Sequence, residues 1–372
     1  MVTNENKSLY RIIYDFLREK IESQEYQMNE QLPTEAELAE QFQVSRITSR
    51  RALAELERHG YIYRKRGSGS YVKAPIKPDP LKRSVQDGLQ RLVSMILPFE
   101  DASGMVDYIR GASNLLNSQG YYLSIHQSGG DSANERSLIR TLRDQGIPGI
   151  IFYPINDTNN YDVLHALYLE EYPIVTIDKN FESIPIGSVV SDNFAGGYMA
   201  ASKLIELGHR RIGFVSSVSI ESTSSVRNRY FGYCRALKDN QIQVDNRIVI
   251  LNAIEQARNN KTEWLKSLFE LFHQYDVTAI QAENDLVAID LLKYAADAGV
   301  RVPQDISIVG FDNHELTKHL EIPLSTIEQD FYGIGQKAAQ MVVDLLEARK
   351  PLPENITFPV RWIERESTAP VK

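Results

Sequence analysis

Cysteine is nearly absent from this sequence. Cys234 is the only cysteine among 372 residues. A single thiol cannot form an intramolecular disulfide, and it cannot supply the several thiolates of a structural zinc site. Disulfide-stabilised secreted folds are therefore excluded, and we expect the protein to reside in a reducing cytoplasm.

Long apolar runs and catalytic motifs are also missing. No stretch of about 18 apolar residues occurs, and the N-terminal residues MVTNENKSLY contain no apolar signal segment. The seven histidines show no metal-ligand spacing, and neither a Gly-x-Ser-x-Gly elbow nor a His/Cys pairing is present. We therefore expect no membrane insertion, no metal, no cofactor and no enzymatic activity.

An overall excess of positive charge is missing as well. The net charge is −8, which by itself argues against a nucleic-acid partner, because binding to phosphates needs concentrated Lys and Arg. The basic residues are not spread evenly, however. Residues 44–73 contain 8 basic and 2 acidic residues. A local stripe of this kind is typical of a DNA-binding surface.

The first 73 residues show the pattern of three helices followed by a β-hairpin. Apolar residues at helical spacing predict a helix over 9–23, and Leu32-Pro33-Thr34-Glu35 begins a second. Ser45 is a plausible N-cap for a third helix, which ends near Arg58. Residues 61–72 favour two strands joined by a glycine-rich tip, which completes a winged helix-turn-helix. The apolar residues of its predicted helices are Ile12, Ile13, Phe16, Leu17, Ile21, Leu38, Ala39, Phe42, Leu53 and Leu56.

From about residue 91, short apolar strands alternate with amphipathic helices, which is typical of parallel α/β layers. The strands are too many for one sheet, so two similar lobes with a cleft between them are expected. Three prolines within 74–80 predict an extended linker. We therefore expect a winged helix over 1–73, a Pro-rich linker over 74–90 and a two-lobed α/β domain over 91–372. The predicted strands are Ser94–Leu97, Tyr122–Ile125, Gly149–Tyr153, Ile174–Ile177, Ile212–Val215, Ala279–Ala282 and Ile306–Gly310.

Two family resemblances follow in order along the chain. The first part resembles the GntR-family winged helix, on the residues Leu32-Pro33-Thr34-Glu35, Leu38-Ala39, Val44-Ser45-Arg46, Arg50-Arg51-Ala52-Leu53, Leu56 and Gly60. Residues 91–369 resemble the LacI/GalR effector domain, which is similar to periplasmic sugar-binding proteins. The residues that carry this second resemblance are Ser191-Asp192-Asn193, Gly196-Gly197, Leu207 to Ile212, Arg229 with Gly232, Glu283-Asn284-Asp285, Val302 to Asp312 and Ser325-Thr326-Ile327.

The combination resembles the arabinose repressors of Gram-positive bacteria, and it departs from its two parent families at two places. Ser49 stands where GntR proteins usually have an apolar core residue. The Pro-rich linker replaces the hinge helix of LacI-type repressors. Signalling between the two domains therefore cannot be transferred from LacI.

Arg46 and Arg50 lie one turn apart on the third helix, where arginine can bind phosphate or read guanine O6 and N7. Arg64 to Arg66 form a basic approach to the wing. Glu35 is acidic, and it either accepts from cytosine N4 or orients a neighbouring arginine. An isolated basic helix is more often a solvated face, but the winged-helix context favours DNA. The predicted DNA-contacting residues are Glu35, Ser45, Arg46, Ile47, Thr48, Arg50, Arg51, Lys65, Arg66, Gly67 and Gly69.

Polar residues directly after strands define the predicted effector site, because ligands of such sheets bind at the carboxyl ends of the strands. Many Asp and Asn residues at such positions are instead helix caps or turn formers, the role we assign to Asp192 and Asp285. His209, at a helix end, is assigned a structural capping role. The effector-contacting residues that the resemblance and topology indicate are Phe99, Glu100, Asp101, Asp178, Lys179, Arg229, Asn284 and Asp312.

The expected protein is a homodimeric repressor of carbohydrate-utilisation genes that binds a two-fold symmetric operator and is released by a small sugar such as L-arabinose. Three alternatives remain open. The effector can be a nucleobase or another metabolite, the chain can be a sugar-binding or transport protein, or it can be a pyridoxal-phosphate enzyme fused to a winged helix. The operator sequence, the effector and the sign of its effect on DNA binding are not specified by the sequence.

Overall fold

The computed structural model describes residues 9–22, 25–58, 61–65, 68–73, 91–98, 104–253, 260–347 and 354–371. The chain divides into two compact units, Met1–Asp87 and Gly88–Lys372. The predicted 74–90 linker lies outside the described residues, so its extended conformation stays a prediction.

The N-terminal unit is the winged helix that the sequence predicts. Thr34 caps the second helix, and it forms a reciprocal capping box with Glu37, which anchors the helix start. The Ser45 hydroxyl accepts from the Thr48 N–H at 3.3 Å, which confirms Ser45 as the cap of the third helix. The elements are α1 (Leu9–Glu22), α2 (Glu35–Gln41), α3 (Arg46–Arg58) and the antiparallel hairpin of β1 (Ile62–Lys65) and β2 (Gly69–Val72).

The core of this unit includes the polar side chain of Ser49, and it does not include Ile12. Ser49 is fully buried, but its hydroxyl donates to the carbonyl of Glu35 at 2.7 Å. A buried hydroxyl with a partner is compatible with the core, so α2 and α3 tolerate serine where an apolar residue is usual. Ile12, one of the apolar residues at helical spacing, is exposed on α1, with 36% of its surface accessible, so it does not contribute to the core.

The larger unit consists of two lobes. The first contains a six-stranded sheet of order β13-β7-β6-β5-β3-β4 in which every pair is parallel. Its strands are β3 (Leu92–Leu97), β4 (Tyr122–Gln127), β5 (Gly149–Phe152), β6 (Ile174–Ile177), β7 (Gly187–Ser191) and β13 (Asn355–Phe358). One face packs on α4 (Met105–Ser118) and α11 (Phe331–Leu346), and the other on α5 (Ser132–Asp144) and α6 (Tyr161–Leu169).

The second lobe has a parallel sheet of order β11-β10-β8-β9. Its strands are β8 (Ile212–Val215), β9 (Val249–Ile250), β10 (Ala279–Ala282) and β11 (Ser307–Val309). The helices α7 (Asn193–Glu206) and α8 (Ser224–Asp239) cover one face, and α9 (Lys261–Gln274) and α10 (Asp285–Asp297) cover the other. A short antiparallel pair, β12 (Thr326–Glu328) with β14 (Arg361–Ile363), follows where the chain returns to the first lobe.

All seven predicted strands are present, with ends that shift by up to two residues. The prediction missed β7, β9, β12, β13 and β14. Three of these have two or three residues, which is too few for a periodic pattern. The expected two-lobed α/β architecture is confirmed, and the carboxyl ends of its strands bring the candidate site together.

Candidate DNA-binding and effector sites

The exposed face of α3 carries the side chains that the sequence assigned to DNA. Arg46, Arg50 and Arg51 are exposed, and Ile47 has 80% of its surface accessible. The Arg51 guanidinium lies 4.1 Å from the ring centre of Tyr10 on α1, so α1 holds it in place. Arg46 and Arg50 thus present two cations from successive turns, with a large apolar side chain next to them.

Glu35 contacts a neighbouring arginine, as the second of the two roles suggested for it requires. Its carboxylate lies 3.4 Å from a guanidinium nitrogen of Arg64, and the same guanidinium reaches Glu57 and the carbonyl of Arg50. Arg64 therefore links α2, α3 and the first wing strand. Glu35 orients Arg64, and Arg64 in turn contacts α3 from the first strand of the wing.

The wing is basic, and its geometry depends on glycine. Lys65 lies 5.2 Å from the ring centre of Tyr71, across the hairpin. Gly69 has φ of +118°, a backbone conformation that residues with a side chain rarely adopt, and a Cβ there would also displace Gln31 Nε2, which would lie 2.7 Å away. Thr48 engages the hydroxyl of Ser45 at 2.9 Å, while Arg66 and Gly67 lie outside the described residues.

The candidate effector site lies between the two lobes of the larger unit. Directly after β6, Asp178 and Lys179 form a buried ion pair, with 2.6 Å between the carboxylate and Nζ. Lys179 also lies 4.7 Å from the ring centre of Tyr153, at the end of β5. From α8 in the other lobe, the Ser225 hydroxyl reaches Asp178 at 3.5 Å. The structure brings these predicted residues together, with Tyr153 and Ser225 as additional neighbours.

Several contacts fix the side chain of Arg229 in the second lobe. It is buried, donates to Asn193 Oδ1 at 2.8 Å and to the Glu283 carbonyl at 2.6 Å, and lies 3.6 Å from Asp312. Its guanidinium also stacks on Phe311, 3.8 Å from the ring centre. Such a network fixes the plane of the guanidinium, which is how a protein preorganises a donor.

Asp178 and Asp312 share an unusual backbone geometry. Asp178 has φ of +68° and Asp312 has φ of +122°, which is a strained conformation for a residue with a side chain. Strain of this kind persists where the surroundings impose it, and it concentrates at binding sites. The Asp312 carboxylate accepts from Gln329 Nε2 at 2.6 Å, so its orientation is fixed as well.

Four of the predicted effector residues, Asp178, Lys179, Arg229 and Asp312, carry this arrangement. Asn284 instead uses its side-chain oxygen to cap α10, accepting from the Val287 N–H at 2.9 Å. Phe99, Glu100 and Asp101 lie outside the described residues. Tyr153 is not among the predicted residues, because an aromatic side chain at the end of an apolar strand is typical of a core residue.

Three structural assignments were tested by the same geometry. Asp192 caps α7, accepting from the Ala195 N–H at 2.8 Å, as predicted. Asp285 was assigned a capping or turn role, but Asn284 is the cap, while Asp285 is buried and binds the His314 N–H and the Thr326 hydroxyl. Burial and the nearby charge of Asp312 raise the pKa of Asp285. His209 is structural: its ring bridges Thr278 and the carbonyl of Ala369.

Asp157, which is not one of the predicted effector residues, also connects the two lobes. Asp157, on the loop after β5, accepts from the Ser224 N–H at the start of α8 at 2.7 Å and from Arg227 at 3.3 Å. Behind it, the Glu135 carboxylate accepts from the Ile155 N–H at 2.7 Å and from Asn160. Glu135 thereby holds the loop that presents Asp157 to the other lobe.

Burial raises the pKa of Glu135 to about 7 from an ordinary value of 4.5. The folded protein therefore holds this proton more tightly than the unfolded chain, and stability falls as the pH rises from about 4.5 to about 7. Over this range, ionisation of Glu135 should lower the free energy of unfolding of the wild type by about 1–2 kcal/mol. Glu135→Gln should not show this decrease, because its amide oxygen still accepts from Ile155 and the side chain cannot ionise.

Calorimetric unfolding of both proteins at pH 5 and pH 8 measures this effect. Glu170→Gln is the control, since Glu170 is an exposed carboxylate paired with Arg143. An unchanged pH dependence in Glu135→Gln would show that Glu135 is already ionised at pH 5.

In the part of the chain that the structure describes, no helix has both the length and the apolar composition to cross a membrane. The same part contains no group of three or more His, Cys, Asp or Glu side chains arranged to hold a metal ion.

Comparison with known proteins identifies both units. Residues 9–72 match the bacterial regulatory proteins of the gntR family, and residues 201–368 match the periplasmic binding protein-like domain. The arabinose metabolism transcriptional repressor of Geobacillus stearothermophilus is 30% identical over 86% of this chain and 86% of its own length. The ribose operon repressor of Bacillus subtilis is 30% identical over 84% of this chain and 92% of its own.

Among solved structures, a LacI family transcriptional regulator from Enterococcus faecium with bound ribose matches with a TM-score of 0.65 and 25% identity. That match covers 76% of this chain and all of the other. Since the gntR match, the effector-domain match and the full-length relatives agree, the chain belongs to the DNA-binding transcriptional regulators that join a GntR-type winged helix to a LacI-type, periplasmic-binding-protein-like effector domain.

Proposed function

We propose that this regulator is a repressor whose effector is a small uncharged sugar, a pentose such as L-arabinose, and that sugar binding releases it from its operator. The observation that carries the choice of an uncharged sugar is the charge balance of the cleft. Each of the two carboxylates assigned to the effector has its own cation: Asp178 has Lys179, and Asp312 has Arg229.

This balance argues against a phosphorylated effector. A phosphate group would bring an additional charge of about −1.5 to −2 into a space where both cations are already paired with carboxylates. An uncharged polyol adds no charge. Its hydroxyls donate to Asp178 and Asp312 and accept from Arg229 and Lys179, so each polar group can be satisfied.

The relatives support the same class of effector. The repressors of Geobacillus stearothermophilus and Bacillus subtilis are named for arabinose metabolism and the ribose operon, and the Enterococcus faecium structure contains ribose. Both names and the bound ligand refer to five-carbon sugars. Relatives of lower identity include purine repressors, so a nucleobase is the alternative that the experiment must test.

We propose that the operator is bound by a homodimer held together by the effector domains. The first-lobe sheet ends with β4, an edge strand on which Tyr122 and Ile125 are 64% and 46% exposed. Unpaired edges with exposed apolar residues favour association. Closure of the cleft would then alter the spacing of the two winged helices, with a coupling of about 1–3 kcal/mol between sugar and DNA. A regulator that binds chromosomal DNA acts in the cytoplasm.

Titration calorimetry with L-arabinose, D-ribose, D-xylose, D-glucose, adenine and hypoxanthine tests the effector. Gel shifts then use an operator selected by the protein from a random duplex pool. We expect one pentose to bind and to release the operator. Binding of a purine alone, or of nothing in this panel, would overturn the sugar proposal and leave the DNA-binding half unaffected. Tighter operator binding with sugar would reverse the proposed sign.

A further inference from the structure

Tyr108 on α4 is a buried tyrosine whose hydroxyl is unsatisfied. The side chain has no accessible surface, and it packs edge-to-face on Tyr153 and Phe331, with ring centres 5.8 and 5.1 Å apart. Among the described residues, none forms a hydrogen bond with its hydroxyl oxygen. Two other buried tyrosines differ in this respect, since Tyr233 donates to the Ile212 carbonyl and Tyr172 to the Ile147 carbonyl.

A buried hydroxyl without a partner destabilises the folded protein, whereas phenylalanine would fill the same space without that penalty. Close packing of α4 on α11 fixes the backbone of Tyr108. A Cβ on Gly335 of α11 would lie 2.2 Å from the Tyr108 carbonyl oxygen, so the two helices meet backbone to backbone at this point. The phenol ring itself packs against Tyr153 and Phe331.

Tyr108 is a neighbour of the effector residues, because its ring packs on Tyr153, whose own ring centre lies 4.7 Å from Lys179 Nζ. The charged and polar groups that influence the Tyr108 hydroxyl electrostatically are Asp178 and Tyr153 of the first lobe, with Asp312 and Arg229 of the second. Three of these four are the residues assigned above to the effector. Burial and the two carboxylates raise the pKa of Tyr108 well above its ordinary value, so the phenol keeps its proton and is a donor at neutral pH.

We propose that the effector sugar displaces the groups that cover the Tyr108 hydroxyl in this structure, that this hydroxyl then donates a hydrogen bond to one hydroxyl oxygen of the sugar, and that Tyr108 is a specificity-determining residue of the cleft. This inference rests on the proposed function. The chemistry is complementary, because a sugar hydroxyl that donates to an aspartate keeps two lone pairs for a donor such as Tyr108. The resulting chain from phenol to sugar to carboxylate strengthens each of its hydrogen bonds.

Tyr108→Phe removes only the hydroxyl and keeps the ring contacts with Tyr153 and Phe331. Calorimetry with the pentose that binds the wild-type protein should show affinity about 5- to 30-fold weaker in this variant. Its unfolding temperature without sugar should be equal to or higher than that of the wild type, since an unsatisfied group has been removed.

Deoxy analogues of the same pentose identify the partner hydroxyl. We expect one monodeoxy sugar to bind the wild type about 5- to 30-fold more weakly than the parent sugar does. In Tyr108→Phe the affinities of these two sugars should differ much less, because the substitution and the deoxy change remove the same hydrogen bond. Tyr233→Phe is the matched control: it breaks the bond to Ile212, so it should lower the unfolding temperature and leave sugar affinity unchanged.

The two proposals fail in distinguishable ways. If no sugar binds the wild type, the proposed function is wrong and this inference falls with it. If a pentose binds the wild type and Tyr108→Phe equally well, or if every monodeoxy sugar loses the same factor in both proteins, the sugar proposal stands and the role of Tyr108 is refuted.

Discussion

Asp312→Asn is expected to leave the fold intact and to weaken effector binding by about 10- to 150-fold, so that the operator stays bound at sugar concentrations that release the wild type. The carboxylate lies 3.6 Å from Arg229 and accepts from Gln329 at 2.6 Å. Losing its charge removes the strong acceptor for a sugar hydroxyl, and charged hydrogen bonds contribute roughly 1.5–3 kcal/mol each. Asparagine also adopts positive φ more readily than most residues, so it tolerates the backbone at this position.

Calorimetry measures the affinity of this variant, and gel shifts across a sugar titration measure operator release. The control is Asp162→Asn, which removes an exposed carboxylate paired with Arg136 in the same unit. Its sugar response should equal that of the wild type. Normal sugar binding by Asp312→Asn would show that the strained carboxylate is structural.

Arg50→Ala is expected to weaken operator binding by about 10- to 100-fold, because arginine contacts to guanine contribute roughly 1–3 kcal/mol each. The side chain is exposed on α3, one turn from Arg46. A contact to a base would relax sequence preference at one position of each half-site. A contact to phosphate would instead weaken binding to all sequences and lower the salt dependence by about one counterion.

Gel shifts at several salt concentrations, with the selected operator and single-base variants, separate these two outcomes. Arg58→Ala provides a control on the same helix. Arg58 is the last residue of α3 and pairs with Glu55 at 2.6 Å, and the substitution changes the net charge by the same amount. Equal losses in both variants would mean that α3 contributes only its overall charge.

The sequence by itself determined the elements that local physics specifies. The start of α2 follows from Thr34 and Glu37, whose capping box needs only residues three apart. Six of the seven strands predicted for the α/β domain are buried and rich in branched apolar residues, and the seventh, β4, is a partly exposed edge strand, so short apolar runs located them. The alternation of these strands with helices also determined the α/β class, and the carboxyl-end rule located Asp178 and Asp312.

Choices between neighbouring polar residues were decided by the tertiary structure. The sequence cannot show that Asn284 caps α10 while Asp285 binds His314 and Thr326, because the second set of partners lies 29 and 41 residues away. The short strands β12 and β14 exist only because each pairs with the other across more than 30 residues.

Tyr108 shows the same limit most clearly. Its place on the apolar face of α4 is typical of an ordinary core residue, and nothing in its local sequence distinguishes it from Tyr233. Only the folded chain packs it on Tyr153, beside the effector residues, and leaves its hydroxyl without a hydrogen-bond partner among the described residues. Local patterns determine which residues form helices and strands, because those interactions span a few residues. Which polar groups are paired and which stay available for a ligand depends on contacts between distant segments, so the tertiary structure decides it.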